Sequence, residues 1–156
     1  MEKSYQIQEK FVLVGGNLSD NKRILELIQK ENLNQEIVFP GFVEQADLPV
    51  IYQMATLFMH VSYFEGFGLP VLEAMRCGTP AMVSDRASLP EVVGDCGIVV
   101  NPDDIEKMGL ILAELIGNVE KLEQLAEMAR SRSLTFSWEK TAQDTLQVYK
   151  QLLGAM

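Results

Sequence analysis

The chain has 156 residues, yet it holds one histidine, one tryptophan and two cysteines. A lone His60 excludes a metal centre built on several histidines, and no metal site is expected. Cys77 and Cys96 lack metal-ligand spacing and a disulfide framework. They read as reduced, buried thiols of a cytoplasmic protein. No run of about 18 apolar residues occurs, which argues against a membrane-spanning helix. The opening MEKSYQIQEK lacks the apolar stretch of a secretory leader. Positive charge is scarce as well: 13 Lys and Arg face 22 Asp and Glu, for a net charge of −9. Such a surface repels phosphate backbones, so nucleic acid is excluded as an expected partner. A small anion is not excluded, because a helix N-terminus binds phosphate without net positive charge.

What is present suits one folded domain over residues 1–156, with 1–10 as a polar tail. Hydrophobic residues make up 47% and charged residues 22%, the balance of a globular chain and not of a disordered one. Short apolar runs alternate with helical patterns. Strands are expected at Phe11 to Val14, Ile37 to Phe39, Leu57 to Val61, Ala81 to Ser84 and Ile98 to Val100. Helices are expected from about Asn21 to Glu31 behind an Asp20 cap, after Asp47, and from Gly68 to about Cys77. In the first of these, Ile24, Leu25, Leu27 and Ile28 should share one face. A short helix or turn covers Leu89 to Val93. Three more helices run from Asp103 or Asp104 to Ile116, from Val119 to Arg132, and from Trp138 to Leu153. Strands alternating with helices imply a five-stranded parallel sheet with helices on both faces. Ligands of such folds bind beyond the carboxyl ends of the strands. Three loops lie there: Gly15-Gly16-Asn17, Gly41-Phe42-Val43, and Ser62 to Gly68.

The third loop carries the chemistry. In Glu65-Gly66-Phe67-Gly68-Leu69-Pro70, two glycines permit a tight turn and close approach to a ligand. Pro70 then sets the first helical turn. The free amides around Gly68 to Leu72 and the positive end of the helix dipole suit a diphosphate. Glu65 and Glu73 offer carboxylates that can accept hydrogen bonds from vicinal hydroxyls. Together these describe a nucleotide-sugar site. On spacing alone the pattern stays open, since Gly-x-Gly before a helix is commonly only a turn, and a first-turn Glu commonly serves the dipole.

The ordered set of motifs is more specific. Glu65 to Pro70 with Glu73 resembles the E-x7-E motif of the glycosyl transferases group 1 family. Val38 to Val43, Leu48-Pro49-x-x-Tyr52-x-x-Ala55, Ala74 to Pro80, Ser88 to Asp95 and Phe136-Ser137-Trp138 resemble further segments of it in the same order. The resemblance spans about residues 11 to 153. It implies the C-terminal half of a GT-B fold: a Rossmann-like parallel sheet flanked by helices, here lacking the family's first strand-helix unit. It further implies a retaining hexosyltransferase using a UDP-, GDP- or ADP-sugar donor, with no cofactor or metal. The Ser88 to Asp95 stretch points toward mannosyltransferases, acting in glycan or cell-surface polysaccharide synthesis.

By the same resemblance, Glu65 is the catalytic candidate beside the donor sugar. Glu73 would hold ribose hydroxyls, and Gly66, Phe67, Gly68 and Leu69 the diphosphate. Phe42 and Val43 would lie near the base. His60 reads as a packing residue or as a hydrogen-bond partner of the donor sugar. Thr56 and Val61 depart from the family's usual Asp and Pro, with consequences expected for packing alone. The family's basic loop after its first strand has no counterpart, and Lys3 and Lys10 have the wrong surroundings to replace it. The N-terminal acceptor domain also has no room here. The isolated chain is therefore expected to be inactive, peripheral to the inner membrane only through that missing domain, and open to self-association at unpaired strand edges. The alternative reading is a non-catalytic GT-B-like interaction module.

Overall fold

The structure is a computed structural model, which describes residues 7–16 and 21–154. In chain order the elements are β1 (Phe11–Val14), α1 (Lys22–Lys30), β2 (Ile37–Gly41), α2 (Leu48–Met54), β3 (Phe58–His60), α3 (Leu69–Arg76), β4 (Ala81–Ser84), α4 (Leu89–Val93), β5 (Ile98–Val100), α5 (Ile105–Ile116), α6 (Val119–Ser133) and α7 (Trp138–Gly154). No helix among the described residues is long and apolar enough to cross a membrane.

The five strands form two parallel groups, not the one continuous sheet expected. β1 pairs with β2, and β3, β4 and β5 pair in that order. β1 and β3 thus each keep one edge without a strand partner among the described residues. Among the described residues no strand lies between the two groups to join their ladders. The exposure of β1 reflects this. Phe11, Val12 and Val14 are 47%, 46% and 41% exposed, although an all-apolar parallel strand is normally covered on both faces.

β4 shows the opposite state. All four of its residues are fully buried. Alternation along the strand sends Ala81 and Val83 into a cluster with Val71 and Met75 of α3, Leu89, Val92 and Val93 of α4, and Ala129 of α6. Met82 joins Val100, Leu115 of α5, and Leu122 and Leu125 of α6 in a second cluster. The three-stranded sheet is therefore the core that fixes the loops beyond β3, β4 and β5.

Several local expectations change. β2 continues through Pro40 to Gly41 instead of stopping at Phe39. Val12 pairs with Val38 but Val14 with Gly41, so β2 carries an extra residue near Pro40. Proline has no N–H for the ladder, and a bulge accommodates it. Asp20 and Asn17 lie outside the described residues; Asn21 Oδ1 caps α1 by accepting from the Ile24 amide at 3.4 Å. In α1 only Ile28 is buried, and Leu27 is 54% exposed. Four apolar residues within five positions are too many for one narrow face. Asp47 precedes α2 but makes no side-chain cap bond. Arg132 donates to Val92 O at 2.7 Å and Glu91 O at 2.5 Å, closing the last turn of α4.

Candidate functional site

The Ser62 to Gly68 loop leaves β3 and enters α3. Gly68 is the residue before the first helical turn, at φ 100° and ψ 44°. A Cβ there would stand 2.7 Å from Leu89 Cδ2, so only glycine fits. Val71, Ala74 and Met75 anchor α3 in the core. The same helix leaves Glu73 on the exposed side. The sequence therefore fixes both ends of the motif: a left-handed glycine starts the helix, and an apolar stripe sets its rotation.

Parallel strands bring three loops to one end of the sheet, and hydrogen bonds tie them there. Ser84, fully buried at the end of β4, donates from Oγ to Ser62 O at 2.5 Å. Ser88 Oγ lies 2.9 Å from Phe67 O and 3.3 Å from Glu65 O. Tyr63 donates its hydroxyl to Asp103 Oδ1 at 2.7 Å. Arg86 donates to Asp103 Oδ2 at 2.8 Å and Asn101 Oδ1 at 3.2 Å, and pairs with Asp85 at 3.2 Å. Its charge is thus shared between two carboxylates. Of the two aspartates at the expected start of α5, Asp104 caps the helix, accepting from the Lys107 amide. Asp103 instead serves Tyr63 and Arg86. Those hydrogen bonds, Tyr63's first, hold its carboxyl below the ordinary range.

Each glutamate of the motif has its own partner. Glu65 Oε1 accepts from His60 Nε2 at 2.7 Å and from Ser62 Oγ at 3.2 Å. The His60 hydrogen bond is the main cause that holds the Glu65 carboxyl below the usual Glu value, so Glu65 is an anion at neutral pH. His60, at the last position of β3, stacks its ring on Phe58 at 6.0 Å. It is both a packing residue and a partner of the candidate catalytic carboxylate. Glu73 Oε2 accepts from the Tyr52 hydroxyl at 3.1 Å. Burial and the neighbouring Glu73 push the Tyr52 phenol well above its ordinary range. Tyr52 packs edge-on against Phe58 at 5.4 Å, and its carbonyl accepts from buried Thr79 at 2.5 Å.

The remaining predicted residues are more open. Phe67 rests edge-on against Phe136 at 5.9 Å. Phe42 is 77% exposed just beyond β2. Gly66, Phe67 and Gly68 have no amide donating to another described group. Two surface depressions lie elsewhere: one between β5 and α5, lined by Asn101, Asp104 and Lys107, and one between α5 and the start of α6, lined by Glu114 and Lys121. The motif itself lies on an open face, with Tyr63 and Phe64 65% and 83% exposed. Sequence reasoning assigned no role to Tyr52, Ser88 or Asp103 at the motif. Their partners lie between 17 and 40 positions away, and no local pattern marks such a contact.

This geometry has relatives. The profile of the family described as "Glycosyl transferases group 1" matches residues 2–132. The O-antigen chain mannosyltransferase B of Escherichia coli is 39% identical over 131 residues, covering 81% of this chain and 33% of that protein. The MMP alpha-(1->4)-mannosyltransferase of Mycolicibacterium hassiacum is 30% identical over 141 residues, covering 88% and 34%. This chain therefore spans about a third of the length of these curated relatives. Among solved structures, sucrose-phosphate synthase of Thermosynechococcus elongatus superposes with a TM-score of 0.82 at 30% identity, over 93% of this chain and 39% of that one. Anabaena HepE in complex with UDP and glucose superposes at 0.81 and 25% identity, over 94% and 41%. The α/β architecture, the ordered motifs and these matches agree that the chain belongs to the glycosyl transferases group 1 family and corresponds to a C-terminal half-domain of the GT-B fold.

Proposed function

We propose that this chain is the donor-binding part of a retaining hexosyltransferase, with mannosyl transfer as the first candidate reaction. One observation carries the reading. The loop beyond β3 holds amides with no partner among the described residues at the start of α3, with Glu65 on one side of it and Glu73 one turn into the helix. The amides of Gly66, Phe67, Gly68 and Leu69 would receive the diphosphate of a UDP-, GDP- or ADP-sugar. Their hydrogen bonds and the helix dipole would stabilise the charge that builds on the leaving group. Glu73, oriented by Tyr52, would accept from ribose hydroxyls. Glu65, ionised beside His60, would contact the donor sugar near the reacting carbon, with His60 holding it or sharing a sugar hydroxyl. Phe42 and Val43 would border the base. The mannosyltransferase relatives and the UDP complex of Anabaena HepE support this assignment. No cofactor is part of the proposal.

Acceptor binding and full activity belong to a partner domain, in keeping with the third of its relatives that this chain spans. Titration of the chain with UDP-glucose and GDP-mannose, followed by amide NMR, tests donor binding. Signals from Gly66 to Glu73 should shift at millimolar ligand, and Glu73→Ala should weaken the response. Silence across that segment with both donors rejects the reading. Tight partner binding that survives Glu65→Ala and Glu73→Ala would instead favour an interaction module. We also propose self-association through the open edges of β1 and β3. Sedimentation should then show concentration-dependent mass, reduced by Val12→Lys, whereas a strict monomer rejects it.

A further inference from the structure

We infer that Ser88 is a positioning residue: its hydroxyl sets the direction of the two glycine amides in the motif. The inference rests on the reading of that loop as a donor-phosphate site. Ser88 Oγ is within reach of two carbonyls, Phe67 O at 2.9 Å and Glu65 O at 3.3 Å. Every described peptide bond is trans. In a planar trans peptide the C=O and the following N–H point in opposite directions. Drawing the Glu65 and Phe67 carbonyls toward Ser88 therefore turns the Gly66 and Gly68 N–H groups to the other side of the loop. Neither amide has a partner among the described residues. Glycine has no side chain to fix its peptide plane, so without an outside grip these planes are free to rotate.

Two further observations show that this grip is built. Leu89, next to Ser88, is fully buried, and a Cβ at Gly68 would stand only 2.7 Å from it. Ser88 and Leu89 thus hold the loop by hydrogen bond and by contact. On the other side of Ser88, Ala87 sits at φ 51°, a left-handed conformation disfavoured for any residue with a Cβ. The turn retains that strain while delivering the hydroxyl to the loop. The ligand class served by two amides without a partner among the described residues is an oxyanion such as a phosphate of the donor.

Ser88→Ala and Ser88→Thr test the assignment, with UDP as the probe. In the ligand-free protein, Ser88→Ala should move the Gly66 and Gly68 amide resonances and speed their hydrogen exchange. Its affinity for UDP should fall roughly three- to tenfold, the worth of one ordinary hydrogen bond. Ser88→Thr, which keeps the hydroxyl, should restore both. Unchanged glycine amides in Ser88→Ala, or unchanged UDP affinity, would overturn the inference. If the unsubstituted protein binds no UDP, the donor-site reading fails, while the ligand-free amide signals still decide whether Ser88 orients the loop.

Discussion

Glu65 keeps its charge through a histidine and a serine that lie within five residues of it. Its folded-state pKa lies below the ordinary value of 4.5, chiefly because His60 Nε2 donates to it. The sign follows from linkage. A depressed carboxyl contributes stability that is fully present above pH 4.5 and is lost as pH falls through the folded value. Carbon-detected NMR titration should find Glu65 titrating below 4.5, and His60→Ala should return it toward that value. The site is partly open to solvent, so the stability effect should be small. Gly68 makes a sharper demand. Gly68→Ala would place a methyl 2.7 Å from Leu89 Cδ2 and force a Cβ into φ 100°. Denaturant unfolding should record a loss of about 2 kcal/mol or more, and UDP binding should weaken with it.

Among the elements, the strand-loop-helix unit around the motif was the most legible in the sequence. Gly68, Pro70 and the stripe of Val71, Ala74 and Met75 each set local geometry by their own chemistry, and the structure follows them. Contacts made through space had no such signal. Asp103 and Asp104 are adjacent acids before one helix, and only the fold separates the cap from the partner of Tyr63. Tyr52 was visible as part of a family pattern, but its hydroxyl bond to Glu73 depends on how α2 packs beside α3. Helix α1 misled because four clustered apolar residues do not define which one faces outward: Ile24, Leu25 and Ile28 are at least partly buried and Leu27 is exposed. Helix α7 was placed correctly, with Ser137 Oγ accepting from the Lys140 amide at 3.1 Å. Yet none of its residues is buried, and Trp138 is 73% exposed. Since packing supplies most helix stability, removing residues 138–156 should change the unfolding free energy by less than about 1 kcal/mol. Chemical denaturation of the shortened chain checks this.

At the scale of the whole molecule, the sequence indicated a parallel α/β architecture. It did not indicate that the strands would separate into a pair and a trio. That outcome depends on hydrogen bonds between elements far apart in the chain, which strand-by-strand reading does not count. The two groups differ sharply in cover: β4 is sealed on both faces, while β1 leaves Phe11 and Val12 nearly half exposed. Cooperativity should divide along the same line. With no ladder joining it to the rest among the described residues, the unit from Phe11 to Gly41 should have its own, lower opening energy. Deuterium should therefore enter the amides of Val12 and Val38 well before those of Met82 and Val83. Calorimetry should in turn give a van't Hoff enthalpy smaller than the measured heat, the mark of a chain that melts as two bodies rather than one.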